Sequence, residues 1–259
     1  MTMRIMTSNI WGDYFGNPVA VREDAIGRIY RQYAPDILGF QEMTAGWYRG
    51  RLFEELHDTY QLIGTEAFDA NNYVPMVVKK SFSLLAKGYE YLAHTPDESK
   101  GITWAVLQDA AGRTFAVCNT HFWWKPGAEH DAIRVQNAQQ LVTVMQQLHT
   151  RYACPVWAFG DMNTTLSSEV FAVYAQNGIR HMRELAAVKS DVSSHHGDPV
   201  RGEDGRYHGS PTTNDYRASI DHIVALGDGF SVEEYRVIED PDALDATDHS
   251  PVYVDVTLD

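Results

Sequence analysis

Cysteine is nearly absent from this 259-residue chain. Cys118 and Cys154 are the only two, too few for a disulfide framework. Each stands in an apolar context, AVCNT and ACPVW, where a buried free thiol is expected. Positive charge is also scarce. Lys and Arg total 21 against 35 Asp and Glu, a formal net charge of −14. The longest basic cluster is Lys79-Lys80. A nucleic-acid binder ordinarily carries a basic footprint, and so acidic a chain repels a polyanion at long range. Long apolar runs are missing too: nothing approaches the ~20 residues of a membrane-spanning helix. The opening MTMRIMTSNIWGDY has no basic segment followed by an apolar one, so no signal peptide is expected. No Pro/Ser-rich linker divides the chain. These absences point to a cytoplasmic protein with one domain over residues 1–259, no membrane contact and a small substrate rather than nucleic acid as its partner. Oligomeric state is not legible.

What is present is a core-forming composition, 44% hydrophobic. Apolar runs and alternation predict strands at about 4–10, 37–41, 60–64, 74–79, 82–89, 103–109, 114–120, 156–160, 219–226, 233–238 and 252–257. Helical spacing is expected over 20–33, 47–56, 132–149 and 168–176, the last ended by Asn177-Gly178. Strands with intervening helices predict an α/β fold of two packed sheets with helices outside. The stretch 189–217 (KSDVSSHHGDPVRGEDGRYHGSPTTNDYR) is polar and long for a loop, a length that often marks a lid or binding loop. Its His195-His196-Gly197-Asp198 run suggests a metal site less strongly than a solvated loop. His208 is the better candidate for a pocket rim.

The chemistry gathers where apolar runs meet polar residues. The segments are Ser8-Asn9, Gln41-Glu42, Asn119-Thr120-His121, Gly160-Asp161-Met162-Asn163, Ser219-Ile220-Asp221-His222 and Thr247-Asp248-His249-Ser250-Pro251-Val252. Each sets a carboxylate, amide or imidazole beside a buried strand, where an unpartnered polar group is costly. One cleft holding a cation would satisfy them together. Adjacent strand residues face opposite ways, so His222 is expected to point away from Asp221, whereas Asp248 and His249, in a turn, can share one cleft. Hard oxygen ligands such as Glu42, Asp161 and Asp248 suit Mg²⁺ or Mn²⁺. A carboxylate-held histidine can activate water, and together these groups are equipped for phosphoryl hydrolysis.

In order, SN, QE, NTH, GDMN, SIDH and TDHSPV resemble the endonuclease/exonuclease/phosphatase superfamily of DNase-I-like, metal-dependent phosphoesterases. The segment VPMVVKKSFSLLAKGYEYLAHTPDESKGITWAVL resembles a bacterial branch of it. The resemblance implies a four-layer α/β sandwich, two mixed sheets flanked by helices. It implies that Glu42 is the principal metal ligand, with Asn9 beside the metal or its water and Asp248 completing that side. Asp161 would orient or deprotonate the attacking water, and Asn163 would hold a phosphate oxygen. His121 would donate to the phosphate or leaving group with Asn119 in support. Asp221 would orient His249, which acts as base or donor; the roles of Asp161 and His249 are exchangeable at this level.

Two departures bear on substrate. The repair-nuclease branch carries a lysine soon after QE, and QEMTAGW has none. Aromatics follow the site motifs: Trp11, Tyr14 and Phe15, Trp47 and Tyr48, Trp123 and Trp124. They are candidates for a stacking wall. Lys125 is a candidate for a terminal phosphate, which would favour a sugar-phosphate monoester. The expected activity is hydrolysis of a small mono- or diester. A nuclease and a catalytically silent binding protein are the alternatives.

Overall fold

The computed structural model describes residues 2–64 and 72–259. In chain order the first half runs β1 (Thr2–Asn9), α1 (Glu23–Tyr33), β2 (Ile37–Gln41), α2 (Ala45–Tyr48), α3 (Arg51–His57), β3 (Tyr60–Ile63), β4 (Met76–Lys79), β5 (Ser83–Tyr91), β6 (Gly101–Gln108) and β7 (Thr114–His121). The second half runs α4 (Ala128–Tyr152), β8 (Val156–Asp161), α5 (Glu169–Gln176), β9 (Arg180–His181), α6 (Met182–Leu185), β10 (Val188–Lys189), β11 (Val200–Arg201), β12 (Tyr207–His208), β13 (Asp221–Leu226), β14 (Phe230–Val237), α7 (Pro241–Ala246) and β15 (Val252–Leu258). A seven-stranded sheet has the order β10-β14-β15-β1-β2-β4-β3, and a six-stranded sheet the order β5-β6-β7-β8-β13-β9. Both are mixed: β1 and β2 are parallel, as are β7 and β8, while β15 and β13 run antiparallel to their neighbours.

Three hydrophobic clusters make this a four-layer α/β sandwich. Between the sheets lie Ile5, Ile37, Val117, Trp157, Phe159, Ile223 and Val254. Behind the seven-stranded sheet, Met6, Leu38 and Phe40 pack on Ile26 and Ile29 of α1 and on Ala243 of α7. Behind the six-stranded sheet, Ala116, Cys118, Ala158 and Val224 pack on Leu141 and Met145 of α4 and Tyr174 of α5. The expected fold is therefore the observed one.

Differences from the expected elements have local causes. The helix expected over 47–56 is two, α2 and α3, broken at Gly50, whose missing Cβ makes room for the Glu23 carboxylate 1.8 Å from where it would stand. Helix α1 starts at Glu23 instead of residue 20, with Arg22, 1% exposed, as its N-cap residue. Two-residue strands such as β9 and β10 are too short for any period to show, and α7 follows an Asp240 cap that accepts from Asp242 N with Pro241 in its first turn.

The sandwich positions the site by strand parity. Ile5, Ile37, Val117, Phe159 and Ile223 face the space between sheets. Stepping by two brings the same face to Asn9, Gln41, Asn119, His121, Asp161 and Asp221. All lie at one end of the sandwich: the exits of β1, β2, β7 and β8, and the entry of antiparallel β13, where Asp221 pairs with Asp161 and Asp161 with His121. The turn before β15 adds Asp248 and His249. The sheets approach closely here. A Cβ on Gly39 would stand 2.3 Å from Phe159 Cε2 and 2.7 Å from Asn119 Cγ.

Candidate functional site

The six segments meet in a cleft of about 670 Å³, lined among others by Glu42, His121, Asp161, Asn163, Asp248 and His249. At its floor, Asp161 is 2% exposed. Asn9 Nδ2 donates to Asp161 Oδ2 at 3.0 Å and to Glu42 Oε1 at 3.2 Å. Trp11 N–H donates to Asn9 Oδ1 at 3.0 Å, which fixes how the amide is turned. His121 Nε2 is 3.3 Å and His249 Nε2 3.8 Å from Asp161 Oδ2. His249 Nδ1 is 2.7 Å from Asp221 Oδ2, which also accepts from Ser194 Oγ at 2.7 Å. His222, on the opposite parity, points into the layer below and meets Thr164 O at 2.8 Å.

Backbone strain is concentrated here. Trp11, Glu42 and Asn163 have φ of 52°, 60° and 50°, left-handed values that non-glycine residues seldom adopt and that cluster at functional sites. Glu42 follows inward-facing Gln41 and by parity would point at the helices. Its left-handed backbone accompanies a carboxylate held instead by Asn9 Nδ2 and by Gly12 N–H, the latter at 2.9 Å. Asn163 N–H donates to Asp161 Oδ1 at 2.9 Å and its Nδ2 to Phe122 O at 3.1 Å.

Burial and charge set the ionisation. Burial pushes Asp161 upward, but the charges of His249 and His121, with hydrogen bonds from His121 and Asn163, outweigh it and hold the carboxyl well below the usual range. Glu42 follows the same pattern: burial opposes, while His121, Lys100 and the Gly12 N–H prevail, and the net shift is downward. Burial lowers His249, but Asp221, Asp248 and Asp161 raise it well above the ordinary imidazole value. Asp248 is pushed up to about 7 by burial against the pull of His249, with Glu42 adding repulsion. Burial likewise lowers Lys100, opposed by Glu42, Asp161 and Asp97.

The residues fit a divalent cation. Asp248 Oδ1 is buried without a partner among the described residues. Glu42, Asp161 and Asp248 supply hard oxygen donors. Ligand atoms of Asp161, Asp221 and His249 lie within 4.8 Å of one another, as do those of His195, Asp248 and His249. Glu42 belongs to neither tight group and is tied to Asp161 through Asn9.

Four expected contacts take other places. Asn119 is an interior tie between the sheets, not a wall of the cleft. Its amide nitrogen lies 2.7, 2.8 and 3.0 Å from the carbonyls of Phe40, Pro75 and Val74, and its oxygen accepts from Gln41 at 2.6 Å. Trp123 is 3% exposed and drawn toward α4, where its indole reaches His130 Nδ1 at 3.0 Å. Neighbouring Trp124, 54% exposed, does line the cleft. Lys125 does not: its ammonium sits 5.7 Å from both tryptophan rings, and Arg134 clamps its carbonyl. His208 faces solvent, because Tyr207 turns in against Trp11 at 5.5 Å and the next residue of β12 must turn out, where it meets Asp204 at 3.5 Å. The rim histidine is His195, whose ring lies 4.8 Å from that of His249.

Two contributors, Lys100 and Ser194, carry no signature of their own in the sequence, and a third, His195, stands in a run that reads more strongly as a solvated loop than as a metal site. Lys100 sits in the turn before β6, and Ser194 and His195 lie in the 189–217 stretch, which the Ser194–Asp221 bond pins to the site. A smaller apolar hollow of about 250 Å³ beside α3 is lined by Leu56, Tyr60, Leu62 and Val77 and gathers none of these carboxylates or histidines.

The model of the endonuclease/exonuclease/phosphatase family matches residues 6–249. The chain belongs to that family. Its members hydrolyse phosphoester bonds, and this chain is accordingly a phosphoester hydrolase. The fold is similar to an endonuclease/exonuclease/phosphatase of Bacteroides vulgatus, at 23% identity and TM-score 0.79 over 100% of both chains. It is also similar to the mannosyl-6-phosphatase Bt3783 of Bacteroides thetaiotaomicron, at 18% identity and TM-score 0.74, covering 99% of this chain and 100% of that one. The human Nocturnin catalytic domain with bound sulfate is 18% identical, with a TM-score of 0.73 over 100% of this chain and 95% of that one. No curated protein matches the sequence. Among the described residues, no helix is long and apolar enough to cross a membrane.

Proposed function

We propose that this endonuclease/exonuclease/phosphatase-family hydrolase cleaves the phosphate ester of a small, sugar- or metabolite-type substrate in the cytoplasm, with Mg²⁺ or Mn²⁺. The observation that carries the reading is the shape and charge of the cleft. Trp11, Tyr14, Tyr73 and Trp124 supply aromatic surface, while Asp97 and Asp198 stand among the lining residues. Aromatic faces with hydrogen-bonding carboxylates suit a ring bearing hydroxyls. An acidic lining on a chain of net charge −14 opposes a nucleic-acid strand. The mannosyl-6-phosphatase of the same fold lends support. Two buried, unpaired thiols accord with a reducing compartment.

Asp161 accepts a proton from, or orients, the water that attacks phosphorus, while the ester oxygen leaves from the opposite side. His249 presents only Nε2 to this chemistry, since Nδ1 is held by Asp221. Asn163 and His121 donate to phosphoryl oxygens as charge grows on them. Glu42 and Asp248, with Asn9 beside them, would hold the metal. When bound, it neutralises phosphoryl charge and makes water more acidic.

The test is a set of initial rates with Mg²⁺ on hexose phosphates, p-nitrophenyl phosphate, its bis-ester and short oligonucleotides, with His249→Ala as control. Small esters should turn over and the variant should not. Cleavage of oligonucleotides in preference to every small ester would refute the substrate reading.

A further inference from the structure

Lys100 is the only lysine or arginine among the described residues lining the cleft. It is 6% exposed. Its backbone is fixed by the bond from Leu92 N–H to its carbonyl, at 3.1 Å, and by the start of β6 at the next residue. The ammonium lies 3.0 Å from His121 Nδ1 and 3.1 Å from Nε2. The in-plane directions of the two ring nitrogens diverge, so a cation equidistant from both is seated on neither lone pair. An ammonium has three donors, and the imidazole engages at most one. No other hydrogen-bond partner of the Lys100 ammonium is present among the described residues. A buried cation with donors to spare is costly in isolation, and this one opens on the cleft beside Asp161 and His121.

We propose that Lys100 is a specificity-determining residue that binds a terminal phosphate oxygen and makes the site prefer phosphomonoesters over diesters. The inference rests on the hydrolytic reading of the site. A monoester has three terminal oxygens and close to two negative charges near neutral pH. A diester has two terminal oxygens and one charge. In the hydrolytic reading the metal, Asn163 and His121 attend the two terminal oxygens and the one charge that a diester also carries. The third oxygen and second charge of a monoester need a further cation, and Lys100 is the one at hand. Lys125 is not among the residues that line the cleft; its ammonium lies 5.7 Å from the Trp123 and Trp124 rings.

Two measurements test this, and the first needs no turnover. In calorimetric titration with inorganic phosphate in the presence of Mg²⁺, Lys100→Met should bind about 10- to 100-fold more weakly than wild type, the loss of one charge-assisted hydrogen bond. In kinetics, the ratio of kcat/KM for p-nitrophenyl phosphate to that for its bis-ester should fall at least about tenfold in Lys100→Met, while Lys100→Arg retains most of it. Phosphate affinity within about threefold of wild type, or an equal loss on both esters, would overturn the proposal. Should Lys100→Met not fold, the Lys100 side-chain resonance of wild type labelled at lysine Cε should shift on adding inorganic phosphate. An unmoved resonance would overturn the proposal. If wild type binds phosphate through Lys100 yet turns over none of the hexose phosphates, p-nitrophenyl esters or oligonucleotides, the hydrolytic reading fails and the binding assignment stands.

Discussion

Replacing Asp221 by Asn changes one charge and almost no volume at the point where His249 is held. Asp221 is 1% exposed and His249 5% exposed. Asp221 Oδ2 receives Ser194 Oγ and His249 Nδ1, each at 2.7 Å. The asparagine oxygen can still accept both bonds, so orientation is partly preserved. What disappears is the charge that stabilises a protonated imidazole. At an effective dielectric constant near 20, unit charges about 4 Å apart interact by roughly 4 kcal/mol. Asp161 and Asp248 still face the ring, as the causes of its raised pKa show, so the net loss is about 2–4 kcal/mol, or roughly 30- to 1000-fold in kcat. Asp221 does not line the cleft, so KM should change by no more than about threefold, since ground-state binding is untouched. The assay is steady-state hydrolysis of the best ester, with thermal melting to confirm the fold. A kcat within about threefold of wild type would refute the Asp221–His249 pairing as part of the machinery, and an increase in KM with unchanged kcat would move Asp221 to substrate binding.

Three further outcomes are expected. Ser194→Ala removes the donor behind Asp221 and should lower kcat roughly 5- to 50-fold at unchanged KM, the worth of one hydrogen bond to a charged group; unchanged kcat would reduce Ser194 to loop packing. Arg22, 1% exposed, donates to the carbonyls of Ile10, Trp11 and Ala246 at 2.9, 2.7 and 3.0 Å and so ties the Trp11 loop to the turn before His249. Arg22→Met should cost about 3 kcal/mol or more by urea unfolding, and an unchanged midpoint would contradict the clamp. His222 and His181 are buried neutral. His222 Nε2 lies 2.8 Å from Thr164 O and its Nδ1 3.1 Å from His181 Nε2, while His181 Nδ1 accepts from Arg183 N–H. Burial lowers both, His222 from 6.5 to about 4. Folded-state values below the unfolded ones mean that stability is full above pH 6.5 and falls as pH drops. The His222 share is about 1.4 kcal/mol per pH unit, near 3 kcal/mol by pH 4. Urea unfolding of His222→Gln should show a correspondingly shallower loss, and an identical slope would contradict the account.

Two packed sheets with helices outside were legible in the apolar runs, and the four layers and the set of site residues in the ordered polar motifs through their resemblance to the family; strand parity, visible in the structure, explains why the motifs converge. Once Ile5, Ile37, Val117, Phe159 and Ile223 are assigned to the space between sheets, Asn9, Gln41, Asn119, His121, Asp161 and Asp221 must share that face. In the structure, that parity accounts for the gathering of the polar strand ends at one end of the sandwich. Parity cannot say which inward residue reaches the cleft and which is spent inside: Asn119 lies one step deeper than His121 and is consumed by backbone carbonyls. Nor does it govern residues outside strands. Glu42 enters through a left-handed backbone, Lys100 through a turn, and Ser194 and His195 through a stretch whose pairing with residues 248–250 has no period. Trp123, Lys125 and His208 were misplaced for a related reason. For Trp123 and Lys125, nearness in sequence to a site motif fixes distance along the chain, whereas direction was decided by Asn137, His130 and Arg134 of α4; for His208, taken from the long polar stretch, direction was decided by the inward turn of Tyr207.

The most direct test of the central claim is phosphate release from a small phosphate ester by the purified protein after chelation and again after adding back Mg²⁺ or Mn²⁺. The account predicts loss of turnover with EDTA, recovery with either ion in wild type and no recovery in Glu42→Ala. Turnover that survives chelation, or that Glu42→Ala regains in full, would contradict the assignment of these carboxylates to a metal-dependent phosphoesterase site.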